Sequence, residues 1–153
     1  MNAGNSQAAV IRGLLRKSRF AVLATCGRRG PHASLVAVLA VPESGALVFV
    51  TPRGTLKYRN LAAEPRAAML LSRQPGRSGG RGAALTVSGR ARELRGGQAD
   101  LWLKRFLRRH PGLKGIAGSR DCAVFMLRPA RLSLATGVRR VSRASPASIR
   151  RKT

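Results

Sequence analysis

The sequence predicts a mainly β protein, a closed antiparallel barrel of about six to seven strands with two to three peripheral helices. Three observations support this fold class. Short apolar or alternating stretches outnumber the amphipathic helical ones. Turns rich in Gly and Pro join successive strands in hairpin order, and no strand–helix–strand alternation is visible. The chain has 153 residues, enough for one domain with one sizeable core.

The charge of the chain is unusual. It has 30 Lys and Arg against 5 Asp and Glu, a net charge of +25. Such a surface attracts polyanions, so a basic barrel that contacts nucleic acid without any cofactor is one alternative function. The basic residues are spread through the whole chain, which fits a simple preference for Arg on solvated faces equally well. Aromatic residues make up only 4%, which disfavours a protein that binds single strands by base stacking.

The cysteines and the hydropathy pattern bear on compartment and metal binding. Cys26 and Cys122 lie far apart and no Cys/His cluster exists, so we expect no metal site. No apolar run approaches membrane-spanning length, and the run over 20–24 is too short for a signal peptide. Two thiols without an export signal suggest a reducing compartment. We therefore expect a cytoplasmic protein with no membrane partner.

The first half of the chain predicts one helix and three strands. A helix is expected over residues 6–17, where large apolar residues recur at helical spacing. Strands follow over 20–25, 32–41 and 46–50, separated by turns. The strand over 32–41 is apolar on both faces, so it needs a cover on each face, either a helix or another subunit.

The second half predicts the remaining elements. In order, they are a short helix after Thr55, strands over 66–72 and 83–94 with a bulge or bend at Gly89, a helix over 98–109, and strands over 122–127 and 131–135. The folded domain is expected over residues 1–137. From residue 138 the chain is basic, lacks acidic residues and has few large apolar groups, so residues 138–153 are predicted to be a disordered tail.

The best candidate site in the sequence is the junction between the strand over 46–50 and the short helix. The strand stops at Thr51, a Pro-Arg-Gly turn follows, and Thr55 is a good N-cap for a helix that carries Lys57. Unpaired amides at a helix start and a nearby Lys can hold a phosphate. The alternative is an ordinary strand-to-helix turn with solvated basic residues.

Several stretches, taken in order, resemble one family. They are F-A-V-L-A-T, G-P-H-A-S-L-V-A, L-V-F-V-T-P-R-G-T-L-K-Y-R-N-L, E-P-R-A-A-M-L-L, T-V-S-G-R-A-R-E-L and F-L-R-R-H-P. Together they resemble the pyridoxamine 5′-phosphate oxidase-like flavoproteins, which have the FMN-binding split β-barrel fold. The resemblance covers roughly residues 18–135. It is closest to the branch of haem-utilisation and general FMN-binding proteins.

The resemblance implies a homodimer with FMN at the subunit interface, which would explain the doubly apolar strand over 32–41. It implies an FMN-dependent oxidoreductase that acts on a small-molecule redox substrate. Thr55 and Lys57 would hold the phosphate. The full set of implied FMN contacts is Ser34, Leu35, Val36, Val50, Thr51, Thr55, Leu56 and Lys57.

The sequence departs from the family pattern beside the phosphate site. Family members often carry Arg directly before the phosphate-binding Lys, where this chain has Leu56. Arg53 or Arg59 could supply the missing charge. If neither does, FMN would be held by one positive charge fewer than in those members.

Other departures argue against oxidation of pyridoxamine phosphate itself. True members have an Arg where Ser34 stands and a Gln where Ala84 stands. Their C-terminal substrate segment, rich in Arg, His and Trp, is not recognisable after Ala135. We predict no catalytic side chain, because in flavin chemistry the cofactor carries the redox step.

Relatives of this fold bind haem or the deazaflavin F420, so both remain alternatives to FMN. A haem protein needs a ligand to iron, and the only histidines are His32 and His110. His32 follows a turn on a buried strand, and His110 stops a helix. A structural role is the commoner one for histidines in either setting.

Overall fold

The computed structural model describes residues 3–41, 43–75, 81–137 and 140–150. The helices are α1 (Ala3–Lys17), α2 (Leu56–Ala63), α3 (Gly96–Arg109) and α4 (Lys114–Ala117). The strands are β1 (Phe20–Gly27), β2 (Gly30–Ala37), β3 (Leu39–Val41), β4 (Ala46–Pro52), β5 (Arg66–Arg73), β6 (Ala83–Glu93), β7 (Cys122–Thr136) and β8 (Arg140–Ala144). Short 3₁₀ turns span Pro111–Leu113 and Pro146–Ile149.

The strands form one antiparallel sheet in the order β2-β1-β5-β6-β7-β4-β3, with β8 pairing with β7 outside this path. β2, at one end of the order, lies against β4 near the other end, so the sheet curls into a half-barrel. The mainly β, antiparallel class is confirmed, and the half-barrel agrees with the split barrel that the resemblance implies instead of the closed barrel that the residue pattern predicted. The described residues form eight strands and four helices, against the six to seven strands and two to three helices expected.

The strand count differs from the prediction for identifiable reasons. The strand predicted over 32–41 is two strands that meet at Val38, because β2 pairs with β1 whereas β3 pairs with β4. The strands predicted over 122–127 and 131–135 are one continuous strand, β7.

A bulge at the middle of β7 is what keeps it continuous. Ser88 pairs with Arg131 but Gly89 pairs with Pro129, so one residue of β7 is unpaired. A Cβ built at Gly89 would lie 1.9 Å from the carbonyl oxygen of Arg128, which only glycine avoids. Of the bulge or bend predicted at Gly89, the structure shows the bulge, with the extra residue, Ala130, on β7.

Two apolar clusters hold the fold together. The larger one fills the half-barrel and includes the fully buried Leu23, Phe49 and Leu127. The smaller one lies on the opposite face of β4 and β7, where α3 covers it with Trp102 and Leu103. β4 is thus buried on both faces, which is why its sequence is a continuous apolar run. None of the described helices is long and apolar enough to cross a membrane.

The C-terminal segment is ordered where the structure describes it, contrary to the prediction of a disordered tail over 138–153. β8 pairs with β7, and Ile149 is 1% exposed within the main apolar cluster. A Cβ at Gly45 would lie 2.6 Å from Ile149 Cδ1, so Ile149 fits closely over that turn. The basic composition of the C-terminal segment did not indicate this packing, because one buried isoleucine and one strand pairing are enough to hold the segment in place. Residues 138, 139 and 151–153 of the predicted tail lie outside the described residues.

The outer face of β2, β1 and β5 is apolar and uncovered. In register across these strands lie Leu35, Val22 and Leu70, which are 70%, 38% and 42% exposed. Phe20 adds to the same region of β1 and is 54% exposed. The expectation that the strand over 32–41 is covered on both faces thus holds for the inner face, where Val36 is buried, but not for the outer face of a single chain.

We expect Ile149→Ala to lower the free energy of unfolding by about 2–4 kcal/mol, because it empties a buried site. Chemical denaturation monitored by Trp102 fluorescence measures the change. Ile116→Ala is the control, because Ile116 is 60% exposed and its truncation should cost less than about 0.5 kcal/mol. Equal stability of the two variants would show that Ile149 is not part of the core.

Candidate functional site

The turn between β4 and α2 is organised by two threonine hydroxyls. The Oγ1 atoms of Thr51 and Thr55 are 2.9 Å apart, and Thr51 is only 1% exposed. Thr55 Oγ1 lies 2.9 Å from the carbonyl oxygen of Pro52, to which it can donate, and it accepts a bond from the amide of Tyr58 at 3.3 Å. Thr55 is extended, with φ −81° and ψ 155°, so its predicted role as N-cap is confirmed.

The first turn of α2 presents hydrogen-bond donors. The amide of Tyr58 is used by the cap and that of Arg59 by the carbonyl of Thr55. The amides of Leu56 and Lys57 have no acceptor among the described residues. We call the Thr55 hydroxyl, these two amides and the Lys57 side chain the α2 cradle. Such an arrangement binds anions, because the amides and the helix dipole both favour negative charge.

Lys57 is not neutralised by a carboxylate. Both ion pairs found in the described residues lie elsewhere, between Arg53 and Glu93 and between Arg66 and Glu64. Lys57 is half-buried in the first turn of α2, and its charge has no ion-pair partner among the described residues.

Arg53 supports the turn and is not directed at the α2 cradle. Its guanidinium binds Glu93 at 2.5 Å and donates to the carbonyls of Arg120 and Cys122 at 3.0 and 3.1 Å. The hydrogen bond to Glu93 raises the pKa of Arg53. Tyr58 donates its hydroxyl to the second oxygen of Glu93 at 3.1 Å. Arg53, Glu93 and Tyr58 therefore tie the turn and α2 to β6 and β7.

Arg53 and Arg59 are the two arginines that could replace the charge missing at Leu56. Of these, only Arg59 has no carboxylate partner among the described residues. Its guanidinium is exposed and donates to the carbonyl of Gly54 at 3.2 Å. This position is beside the α2 cradle, whereas the charge of Arg53 is committed to Glu93.

α2 is fixed to the β1–β2 hairpin by a buried amide. Asn60 is 6% exposed and donates from Nδ2 to Thr25 Oγ1 at 3.0 Å. A Cβ at Gly27 would lie 2.0 Å from Asn60 Oδ1, so the hairpin approaches the helix closely. Asn60 and Glu93 are absent from the residues predicted from the sequence. A usable signal for Glu93 is that the chain has only 5 acidic residues, so each one is a candidate partner for a specific cation.

The predicted ring contacts on β2 point in two directions. Val36 is 7% exposed and faces the interior, and Leu35 faces outward. Ser34 lies on the Val36 face, and its Oγ is buried with no hydrogen-bond partner among the described residues. A single ligand cannot meet all three side chains, so only contacts through the backbone suit the predicted set. β2 is an edge strand, and such an edge leaves backbone groups available.

The structure brings most of the predicted residues into one region. Thr51, Thr55, Leu56 and Lys57 are contiguous around the start of α2, and Val50 precedes them on β4, half-buried. β2, which carries the other three predicted residues, lies close to β4. The side chain of Leu35 is the exception, because it belongs to the uncovered apolar face.

The two histidines have different environments. His110 is 4% exposed, its Nε2 lies 2.9 Å from the carbonyl oxygen of Val38, and its ring packs 4.8 Å from that of Phe106. This carbonyl bond requires a proton on Nε2, so that nitrogen is not available to a metal. His32 is half-buried on the same face of β2 as Ser34. Nowhere in the described ranges do three or more His, Cys, Asp or Glu residues form a group able to hold a metal ion.

The curled antiparallel half-barrel, with β2 as an edge strand, defines the fold class of this protein as a split barrel. The chain belongs to the pyridoxamine 5′-phosphate oxidase family, because the model of that family matches residues 8–135. Comparison with curated proteins gave no match.

Solved structures share the fold at low sequence identity. A haem-binding protein from Mycobacterium smegmatis is 22% identical with a TM-score of 0.83, over 97% of this chain and 60% of that one. The protein Atu2129 from Agrobacterium tumefaciens, of unknown function, is 25% identical with a TM-score of 0.80, over 96% and 61%. The chain thus spans about three fifths of these two proteins. A FAD-binding protein from Mesorhizobium loti is 18% identical with a TM-score of 0.68, over 88% and 93%.

His110 should make stability depend on pH. Burial lowers its pKa, and the nearby charges of Arg19 and Arg109 lower it further. The unfolded chain therefore takes up a proton near pH 6.5 while the folded chain does not, so stability is full above that pH and falls below it. We expect a slope of at most about 1.4 kcal/mol per pH unit, the value for one proton. Denaturation of wild type and His110→Gln between pH 7.5 and 5 measures it, and a slope unchanged in the variant would contradict the assignment.

Proposed function

We propose that this chain binds FMN at the interface of a homodimer and acts as an oxidoreductase on a small-molecule redox substrate. The observation that carries the proposal is the α2 cradle. Two unpaired amides and Lys57 without a carboxylate partner offer the donors and the charge that a phosphate monoester requires. The Thr55 hydroxyl donates to the carbonyl of Pro52 in the free chain, so it would redirect its proton to bond a phosphate. Membership of the family and the flavin named for the Mesorhizobium loti protein agree with this ligand.

The residues present fit the FMN phosphate with one charge fewer than the family pattern. Thr55 and Lys57 would hold the phosphate, and Arg59 is placed to contribute the charge that Leu56 lacks. Thr51 supports the hydroxyl of Thr55 and would remain under the ligand. Because only one arginine is near and it is exposed, we expect weaker retention of FMN than in relatives that carry Arg at position 56.

The ring of the flavin would lie along the edge of β2, close to the backbone of Ser34 and Val36 and to Val50 of β4. The buried, unpartnered Ser34 Oγ is a polar group that a ligand could satisfy. FMN, when bound, supplies the hydride or electron transfer, and the chain orients the ring and excludes water. Ser34 and Ala84 replace the arginine and glutamine of true pyridoxamine-phosphate oxidases, so we do not assign that substrate.

A second copy of the chain would cover the uncovered apolar face. Leu35, Val22 and Leu70 form a row across three strands, and such a row of large apolar side chains suits a twofold contact with itself. This face includes Leu35 of β2, so dimerisation would bring a second chain to the strand that carries the proposed ring contacts. The cofactor site and the dimer would then depend on each other.

Haem is the second candidate ligand, supported by His32. This histidine lies half-buried on the Ser34 face of β2, and the Mycobacterium smegmatis relative is named as a haem-binding protein. F420 would use the same α2 cradle through its phosphate. The three cofactors differ in absorbance, so one spectrum separates them.

The first experiment is the absorbance spectrum of the purified protein after it is mixed with FMN and desalted. We expect a flavin spectrum, with an affinity that Lys57→Ala lowers roughly 10- to 100-fold because it removes a charged phosphate contact. Leu56→Arg should raise the affinity, because it restores the family pair. Lys114→Ala is the control, since Lys114 is exposed on α4. No retained flavin in wild type or in Leu56→Arg would reject FMN, and a haem spectrum lost in His32→Ala would favour haem.

Leu35→Lys tests the dimer. Light scattering should give two chains for wild type and one for the variant, because a charge would enter the centre of the apolar face. Leu101→Lys is a matched control on α3, where Leu101 is 47% exposed. FMN retention should fall with Leu35→Lys only. A wild-type monomer, or a dimer that resists Leu35→Lys, would contradict the proposed interface.

A further inference from the structure

Three arginines stand directly opposite one another on the outer face of the sheet. Arg66 of β5 pairs in register with Arg90 of β6, and Arg90 pairs with Arg128 of β7. All three side chains are exposed. Neighbouring strands lie about 4.8 Å apart, so the three Cα atoms span about 10 Å.

Two further arginines extend this row on the same face. Arg131 faces Ser88 in the next row, and Arg92 follows Arg90 by two positions along β6, and both are exposed. We call these five residues the arginine strip: Arg66, Arg90, Arg92, Arg128 and Arg131.

Among the described residues, Glu64 is the one carboxylate that forms an ion pair with an arginine of the strip. Glu64 accepts from the guanidinium of Arg66 at 2.7 Å, and this bond, with help from the charge of Arg90, lowers the pKa of Glu64 to about 2. The other four arginines have no ion-pair partner within the described ranges. Like charges placed directly opposite in a sheet destabilise it. The positive charges of the strip therefore repel one another in the free protein, and a bound polyanion would relieve this repulsion.

We propose that the arginine strip binds the phosphodiester backbone of duplex nucleic acid without reading its sequence. Arginine is suited to this ligand because its planar guanidinium forms two parallel bonds to one phosphate. Successive phosphates of one strand rise about 3.4 Å along the duplex axis, so long arginine side chains on a 10 Å row can reach more than one phosphate of a strand. This surface is separate from the α2 cradle, so the inference goes beyond the proposed function.

Other polyanions fit the strip less well. A membrane-surface site usually combines cations with large apolar side chains that enter the lipid. None of the exposed large apolar residues found in the described ranges belongs to the strip, and Leu70, on the same face of β5, lies four positions from Arg66. Single strands are usually held by stacked aromatics, which the strip lacks.

The test is fluorescence anisotropy of a labelled DNA duplex, titrated with the full chain over a series of salt concentrations. Arg90→Gln/Arg128→Gln removes two charges from the strip. Lys104→Gln/Arg108→Gln removes two exposed charges from α3 and is the matched control. We expect the strip variant to lose roughly tenfold or more in affinity at 0.1 M salt, with a salt slope smaller by about 1.8, because each phosphate contact contributes about 0.9. The control should keep the wild-type slope.

Stability provides an independent readout. Arg90→Gln should raise the melting temperature by about 1–3 °C, because it relieves repulsion from both neighbours. Weaker DNA binding by a variant that is more stable cannot result from unfolding. A lowered melting temperature would overturn the view that the row is strained in the free protein.

Three outcomes would overturn the nucleic-acid assignment. One is equal loss of affinity and slope in the strip and control variants, which would mean that net charge alone drives binding. Another is the absence of measurable duplex binding by wild type at 0.1 M salt. The third is strip-dependent binding to phosphatidylserine vesicles with unchanged DNA binding, which would assign the strip to a lipid surface.

Discussion

The close approach of Gly89 to the carbonyl of Arg128 lies within the longest strand pairing of the sheet, between β6 and β7. On its other edge, β7 pairs with β4 before the bulge and with β8 after it. The pairing with β4 includes Thr51, opposite Ala123, so it holds the strand that leads into the turn before α2. A side chain at position 89 would force these strands apart, and the turn that leads into α2 would move with them.

The α2 cradle is preorganised by contacts that do not involve a ligand. Asn60 fixes the helix to the β1–β2 hairpin, and the ion pair of Arg53 with Glu93 fixes the turn to β6 and β7. These contacts act from different sides, so the amides at the start of the helix are held in place before anything binds. In a chain with net charge +25, the pairing of Glu93 with Arg53 also reduces the repulsion between Arg53 and Lys57.

Local patterns predicted much of this structure and long-range contacts account for the rest. The alternation along β6, the glycine bend and the Thr55 cap follow from neighbouring residues, so the sequence alone was sufficient for them. It was not predictable that the C-terminal segment with β8 is ordered. Its packing depends on contacts of Ile149 with Leu15 and the turn at Gly45, which lie far away along the chain. The role of Glu93 likewise requires knowing that β6 passes beside the turn after β4.

The break at Val38 divides one apolar stretch between two surfaces. Its amide bonds to Arg19 and its carbonyl to His110, so both sides of this peptide position are fixed by other elements. Before the break, Leu35 faces outward. After it, Leu39 packs under α3. A shift of α3 would therefore pull on the peptide at Val38 through His110, at the point where the chain passes from β2 to β3.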